Sequence, residues 1–187
     1  NWWLTTVSLK QVGSFGLHER WGEQVDGDSP RITDLSSLDP ENFKFRNEKF
    51  LLNRSLHYDN PHDRSISEQR DDIWRVRNGD IERVLEEFPT DRPLPEQCAL
   101  WMHAVVGKHF FADANHRTAI ALLRKLLDDN DIAVDQWPTD RVRTARDESH
   151  AVRREIPPVR LDTLFEKDDL YRVWYQFFTD VLPEEYC

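Results

Sequence analysis

Two stretches of this 187-residue chain carry apolar side chains at spacings of three and four, and only a short interval separates them. Leu94, Cys98, Trp101, Met102, Val105 and Val106 form the first stripe, and Ala119, Leu122, Leu123, Leu126 and Leu127 the second. Such spacing predicts one apolar face on each of two helices. Pro95 suits a first helical turn and Gly107 is placed to end that helix. Asn115 opens the second, which runs until Asp128-Asp129-Asn130. Two helices joined so closely must share a core, and whatever lies between them is held at the surface of that core.

The remaining chain reads as further helices. Asp39-Pro40-Glu41 is a helix start, a capping acid followed by proline at the first helical position. Tyr58–Ser67 reads as a polar loop, and a short helix is expected over Asp80–Phe88, closed by Pro89. Leu161, Leu164, Phe165, Leu170, Val173, Trp174, Phe177 and Val181 predict one or two helices before Pro183. Between these lies a stretch with arginine at 141, 143, 146, 153, 154 and 160, interleaved with Asp140, Asp147, Glu148 and Glu155, which reads as a solvated helix face or a surface for an acidic partner. Residues 1–40 are irregular, punctuated by glycine and proline, and Leu4–Val12 favours short strands or a flap. The expected class is mainly α, in one domain spanning 1–187.

Charge narrows the function. Twenty-five Lys and Arg against 35 Asp and Glu give a formal net charge of −10. A broad nucleic-acid-binding face needs clustered cations, so that class is disfavoured, as are anionic membrane surfaces. Cys98 and Cys187 are too few for a disulfide framework or a four-ligand zinc cluster. With no run of 18 apolar residues and no signal-peptide layout, the expectation is a soluble, cytoplasmic protein.

The interval between the two stripes reads His109-Phe110-Phe111-Ala112-Asp113-Ala114-Asn115-His116-Arg117-Thr118-Ala119. A loop that feeds a helix N-terminus aims unpaired N–H groups and the positive dipole end at whatever lies in front, which suits phosphate. Arg117 in the first turn adds a guanidinium for phosphate oxygens. Asp113 offers a hard carboxylate of the type that takes Mg²⁺. His109 is a candidate proton acceptor near neutral pH. Phe111 would plug the loop into the core.

These residues resemble the signature of the Fic/Doc (Fido) family, and most nearly its Doc branch, H-x-F-x-D-A-N-K-R-T-A; every fixed position matches except His116, where lysine is usual. The resemblance covers the motif and its flanking helices, about 94–128. It implies the helical Fido fold with the active loop between two central helices. It also implies an ATP- and Mg²⁺-dependent transferase modifying a Ser, Thr or Tyr hydroxyl of a target protein. In the Doc branch the enzyme is the toxin of a toxin–antitoxin pair and phosphorylates a translation elongation factor. Carried over, His109 is the base, Asp113 the Mg²⁺ ligand, and Ala114, Asn115, His116 and Arg117 the phosphate-binding segment.

Three departures separate this chain from the AMP-transferring branch. His116 stands where that branch has glycine, Ile120 where it has a second arginine, and Phe110 where proline is common. A bulky residue at 116 favours phosphate transfer, with AMP transfer as the alternative and a non-catalytic Fido binding module as the rival. Lys108 reads as a solvated lysine rather than an aid to phosphate binding, His103 as structural or surface, and His57, His62 and His103 lack the spacing of a zinc hydrolase. Ser37-Leu38-Asp39-Pro40-Glu41-Asn42 also fits the family's self-inhibiting pattern literally, but it reads better as a helix cap.

Overall fold

The computed structural model describes residues 29–60 and 62–186, so the strands expected at Leu4–Val12 lie outside the described residues. Asp39 caps the first helix, α1 (Pro40–Leu52), as its sequence predicts: its carboxylate accepts from Asn42 N at 2.8 Å, and the Asn42 side chain accepts from Asp39 N at 2.9 Å. The reciprocal pair satisfies two otherwise orphaned donors. Ser37 is committed elsewhere, to Asp129, and Glu41 is exposed in the first turn, so this segment serves as a cap.

The polar loop is shorter than expected. Ser65 and Glu68 form a second capping box that starts α2 (Ile66–Arg75), and the signature S-x-x-E was readable in the sequence. Helix α3 (Asn78–Glu86) begins two residues before the expected Asp80 and leaves Phe88 buried just beyond its end.

Helix α4 (Leu94–Lys108) is the axis of the fold. Every residue from Gln97 to Gly107 is buried, so the helix is enclosed on all sides rather than along the one stripe the spacing predicts. It packs against α5 (Asn115–Asp129) and, more extensively, against α7 (Asp169–Val181); α6 (Thr139–Glu155) lies on α7, and α1 on α2, α3 and α5. Gly107 does not end the helix. A Cβ there would meet Val159 Cγ2 at 2.5 Å and Leu170 Cδ2 at 3.1 Å, so glycine is required for close approach, and the left-handed residue at the helix end is His109.

Two buried polar side chains on α4, Gln97 and His103, reach across the fold. Gln97 brackets Ile32, accepting from its N–H at 2.7 Å and donating to its carbonyl at 2.9 Å. His103 is fully buried, with Nδ1 2.7 Å from Leu164 O and Nε2 3.1 Å from an Asp168 oxygen, which makes it structural rather than a surface residue. Among the described residues the fold is mainly α with no strand, and no helix is long and apolar enough to cross a membrane.

Candidate functional site

The loop from α4 to α5 is held between two non-glycine residues in the left-handed region, His109 (φ 56°) and Ala114 (φ 60°). Such backbone costs on the order of 1 kcal/mol per residue and persists where surroundings over-determine it. Here they do. Phe111 is buried, and its backbone is clamped by Asn115, whose Oδ1 accepts from Phe111 N at 3.0 Å and whose Nδ2 donates to Phe111 O at 2.7 Å. Asn47, fully buried on α1, donates through Nδ2 to Asp113 O at 2.9 Å and to Thr118 Oγ1 at 3.0 Å. Tyr58 donates to Asn47 Oδ1 at 2.9 Å, and burial pushes its hydroxyl up to about 12.

The two bonds to Phe111 fix which end of the Asn115 amide is nitrogen. Its second Nδ2 proton therefore points at His109 Nδ1, 2.9 Å away, which must accept. A neutral His109 then carries its proton on Nε2. Burial, followed by Arg153 and His150, lowers the ring to about 4, so it is uncharged at neutral pH.

Helix α5 begins at Asn115 without a side-chain cap, so the first N–H groups of the helix have no intrahelical partner. Asn115, His116 and Arg117 of that first turn line a cavity of about 390 Å³, together with His109, Asp113, Ala114, Leu56, His57, Arg146 and His150. All six residues singled out in the sequence thus meet at one cavity.

Their present commitments differ from the simple expectation. Asp113 does not cap α5 in the ordinary way; Oδ1 accepts from Ala114 N at 2.5 Å and Oδ2 from Asp59 N at 2.8 Å. Arg117 reaches the same Oδ2 at 3.2 Å and donates to His57 O at 2.9 Å. The 57–59 segment therefore holds both the carboxylate and the guanidinium. Among the described residues no group of three or more His, Cys, Asp and Glu side chains could hold a metal ion. A lone carboxylate fits Mg²⁺ only in the manner that shares the ion with substrate phosphates and water.

His116 is 7% exposed, with Nε2 2.9 Å from Ser149 Oγ, which also accepts from Trp174 Nε1 at 3.2 Å. Its ring centroid lies 4.4 Å from that of His150. Burial, then His150 and His109, lower it to about 3, so at neutral pH it is an uncharged, tethered wall residue. Lys108 pairs with Asp80 at 3.5 Å and lies 5.5 Å from the Phe110 ring centre, so it is partly buried rather than freely solvated.

Sequence reading missed Asn47, Tyr58, His57, Arg146 and His150. Asn47 had a signal, since it falls between Phe43 and Leu51 at four-residue steps on a buried face where an apolar residue is expected. Arg146 and His150 had none, because their place depends on how α6 docks. No protein-family model, curated protein or solved structure matches the chain.

Proposed function

We propose that the chain is a Fic/Doc-like, nucleotide-dependent protein-modifying transferase with the Fido fold, moving the γ-phosphate of ATP to a hydroxyl of a target protein. A translation factor is the target class and the toxin role in a toxin–antitoxin pair the biological setting that the motif suggests. One observation carries the reading: His109, Asp113, Arg117 and the uncapped start of α5 line a single cavity. A base, a hard carboxylate and an anion cradle in one place suit phosphoryl transfer, where positioning and charge neutralisation supply most of the rate.

In this scheme the phosphate chain lies on the N–H groups of α5 with Arg117 at its oxygens. The Arg117 contact requires the 57–59 segment to release the guanidinium. The target hydroxyl oxygen attacks the γ-phosphorus, the bond to the β,γ-bridging oxygen breaks, and ADP leaves. His109 takes the hydroxyl proton. To receive it at Nε2, the ring must first carry its proton on Nδ1, so the Asn115 contact to Nδ1 parts during the cycle. Mg²⁺ held at Asp113 would supply charge neutralisation at the phosphates.

Transfer of AMP is the second reading, and the position of His116 favours keeping it. Its ring is tied back to Ser149 and packed on His150 and Trp174, so its bulk is directed into the α6–α7 side. Incubating lysate with α- and γ-labelled ATP separately, with native protein and His109→Ala, tests both. Label from the γ position alone, lost in His109→Ala, supports phosphorylation. Label from the α position supports AMP transfer. No label from either, with cellular effects unchanged in His109→Ala, supports a binding module.

A further inference from the structure

The cavity has a second wall that the motif does not encode. Arg146, Ser149, His150 and Arg153 stand at positions i, i+3, i+4 and i+7 of α6, so they share one helix face. Arg146 and His150 line the cavity opposite Arg117, and Ser149 anchors His116. Arg153 is partly buried; among the described residues no carboxylate is found with it, and burial alone acts on its guanidinium. The carboxylates facing this group are Asp113, held by Arg117 and the Ala114 and Asp59 amides, and Asp147, which pairs with Arg146 at 2.6 Å in solvent. An exposed pair of that kind is worth little and yields readily to a better anion.

That leaves the positive charge of Arg153 balanced by no carboxylate among the described residues. It falls on His109, His116 and His150, all three held below the ordinary histidine range by burial with these arginines contributing. Arg153 does not line the cavity, but its charge reaches His109 and His116 there, so an anion in the cavity would offset that charge. From Arg146 to Arg153 is seven residues, about 10.5 Å along the helix axis, longer than one phosphate group.

We propose that the α6 face formed by Arg146, His150 and Arg153 binds the distal phosphates of a nucleoside di- or triphosphate whose inner phosphate lies on the start of α5. This deepens the transferase reading and rests on it for the nucleoside. Guanidinium groups bind phosphate oxygens in a bidentate manner, so each arginine supplies a directional contact as well as charge.

The test is calorimetric binding of Mg²⁺–ATP, AMP and inorganic tripolyphosphate to native protein and to Arg146→Gln, Arg153→Gln, Arg117→Gln and Arg143→Gln. Each of Arg146→Gln and Arg153→Gln is expected to weaken ATP about tenfold and AMP less than about twofold. Arg143→Gln, on an exposed part of α6, leaves both unchanged. Thermal melting checks the fold, and Arg153→Gln is expected to melt no lower than native because it removes an uncompensated cation. ATP binding that survives both α6 variants but fails in Arg117→Gln would overturn the α6 proposal and leave the nucleotide reading standing. An equal loss for AMP and ATP would overturn the distal placement. Tripolyphosphate binding that needs Arg146 and Arg153, without any nucleotide binding, would uphold the α6 site and overturn the nucleotide reading. Native protein that binds none of the three overturns both.

Discussion

Asn115 and His109, six residues apart, are joined by a 2.9 Å hydrogen bond whose direction is set by a third residue, since Phe111 leaves the Asn115 amide one orientation. The bond stabilises the neutral ring and places its proton on Nε2. Long-range proton–nitrogen NMR at neutral pH is expected to show His109 Nδ1 unprotonated and Nε2 protonated. Removing the donor in Asn115→Ala should raise the His109 titration midpoint above its value of about 4. A bound polyphosphate should raise it too, because an anion favours the charged ring. A midpoint unmoved by both would sink this account of the ring.

His116 makes stability depend on acidity. Its folded-state value of about 3 lies below the unfolded value of 6.5, so the native ring refuses a proton that the unfolded chain accepts. The contribution is complete above pH 6.5 and is lost as pH falls towards 3, at about 1.4 kcal/mol per pH unit. His109, lowered to about 4, acts in the same direction. Urea melts of native protein and His116→Gln between about pH 6.5 and 4.5 should show a shallower acid loss in the variant.

Asn47 is the bolt between α1 and the motif loop. Asn47→Ala would orphan the buried Asp113 carbonyl and remove partners from Thr118 and Tyr58. The expected loss is about 3 kcal/mol in a denaturant titration, from two or more unmade buried bonds. Nucleotide binding should weaken as well, since the loop loses its support.

The 57–59 segment occupies the groups that a Mg²⁺–nucleotide would need. Hydrogen–deuterium exchange at the Asp59 amide, now bonded to Asp113, is expected to speed up when Mg²⁺–ATP binds. Slower or unchanged exchange there would show that nucleotide and segment share the site without competing.

How far the sequence reveals this molecule depends on the kind of contact. The Asp39 cap, the α4 and α5 stripes and the motif loop are local patterns, and they were legible because each is set by residues within a few positions. The Ser65–Glu68 cap is equally local, but it sits inside a polar stretch whose composition also suits a loop. Gly107 misled, because the same residue serves as a helix stop or as a close-packing site, and Val159, over fifty residues away, decides which. Arg146 and His150 come to the cavity through the packing of α6 on α7, which no spacing records.

Gly107→Ala tests that packing. Alanine favours helix by about 1 kcal/mol, but its Cβ would sit 2.5 Å from Val159 Cγ2. Overpacking should win, with a net loss of about 1–3 kcal/mol. Val159→Ala in the same chain should restore part of it, a coupling that a double-mutant cycle in urea would measure.

The Gly107–Val159 contact also has a mechanical side. His109 stands two residues beyond it, on backbone with no glycine slack, and continues directly from the end of α4. Because Val159 fills the space a methyl group at 107 would take, the 156–163 segment sets how closely the end of α4, and with it the start of the motif loop, packs against the C-terminal part of the chain.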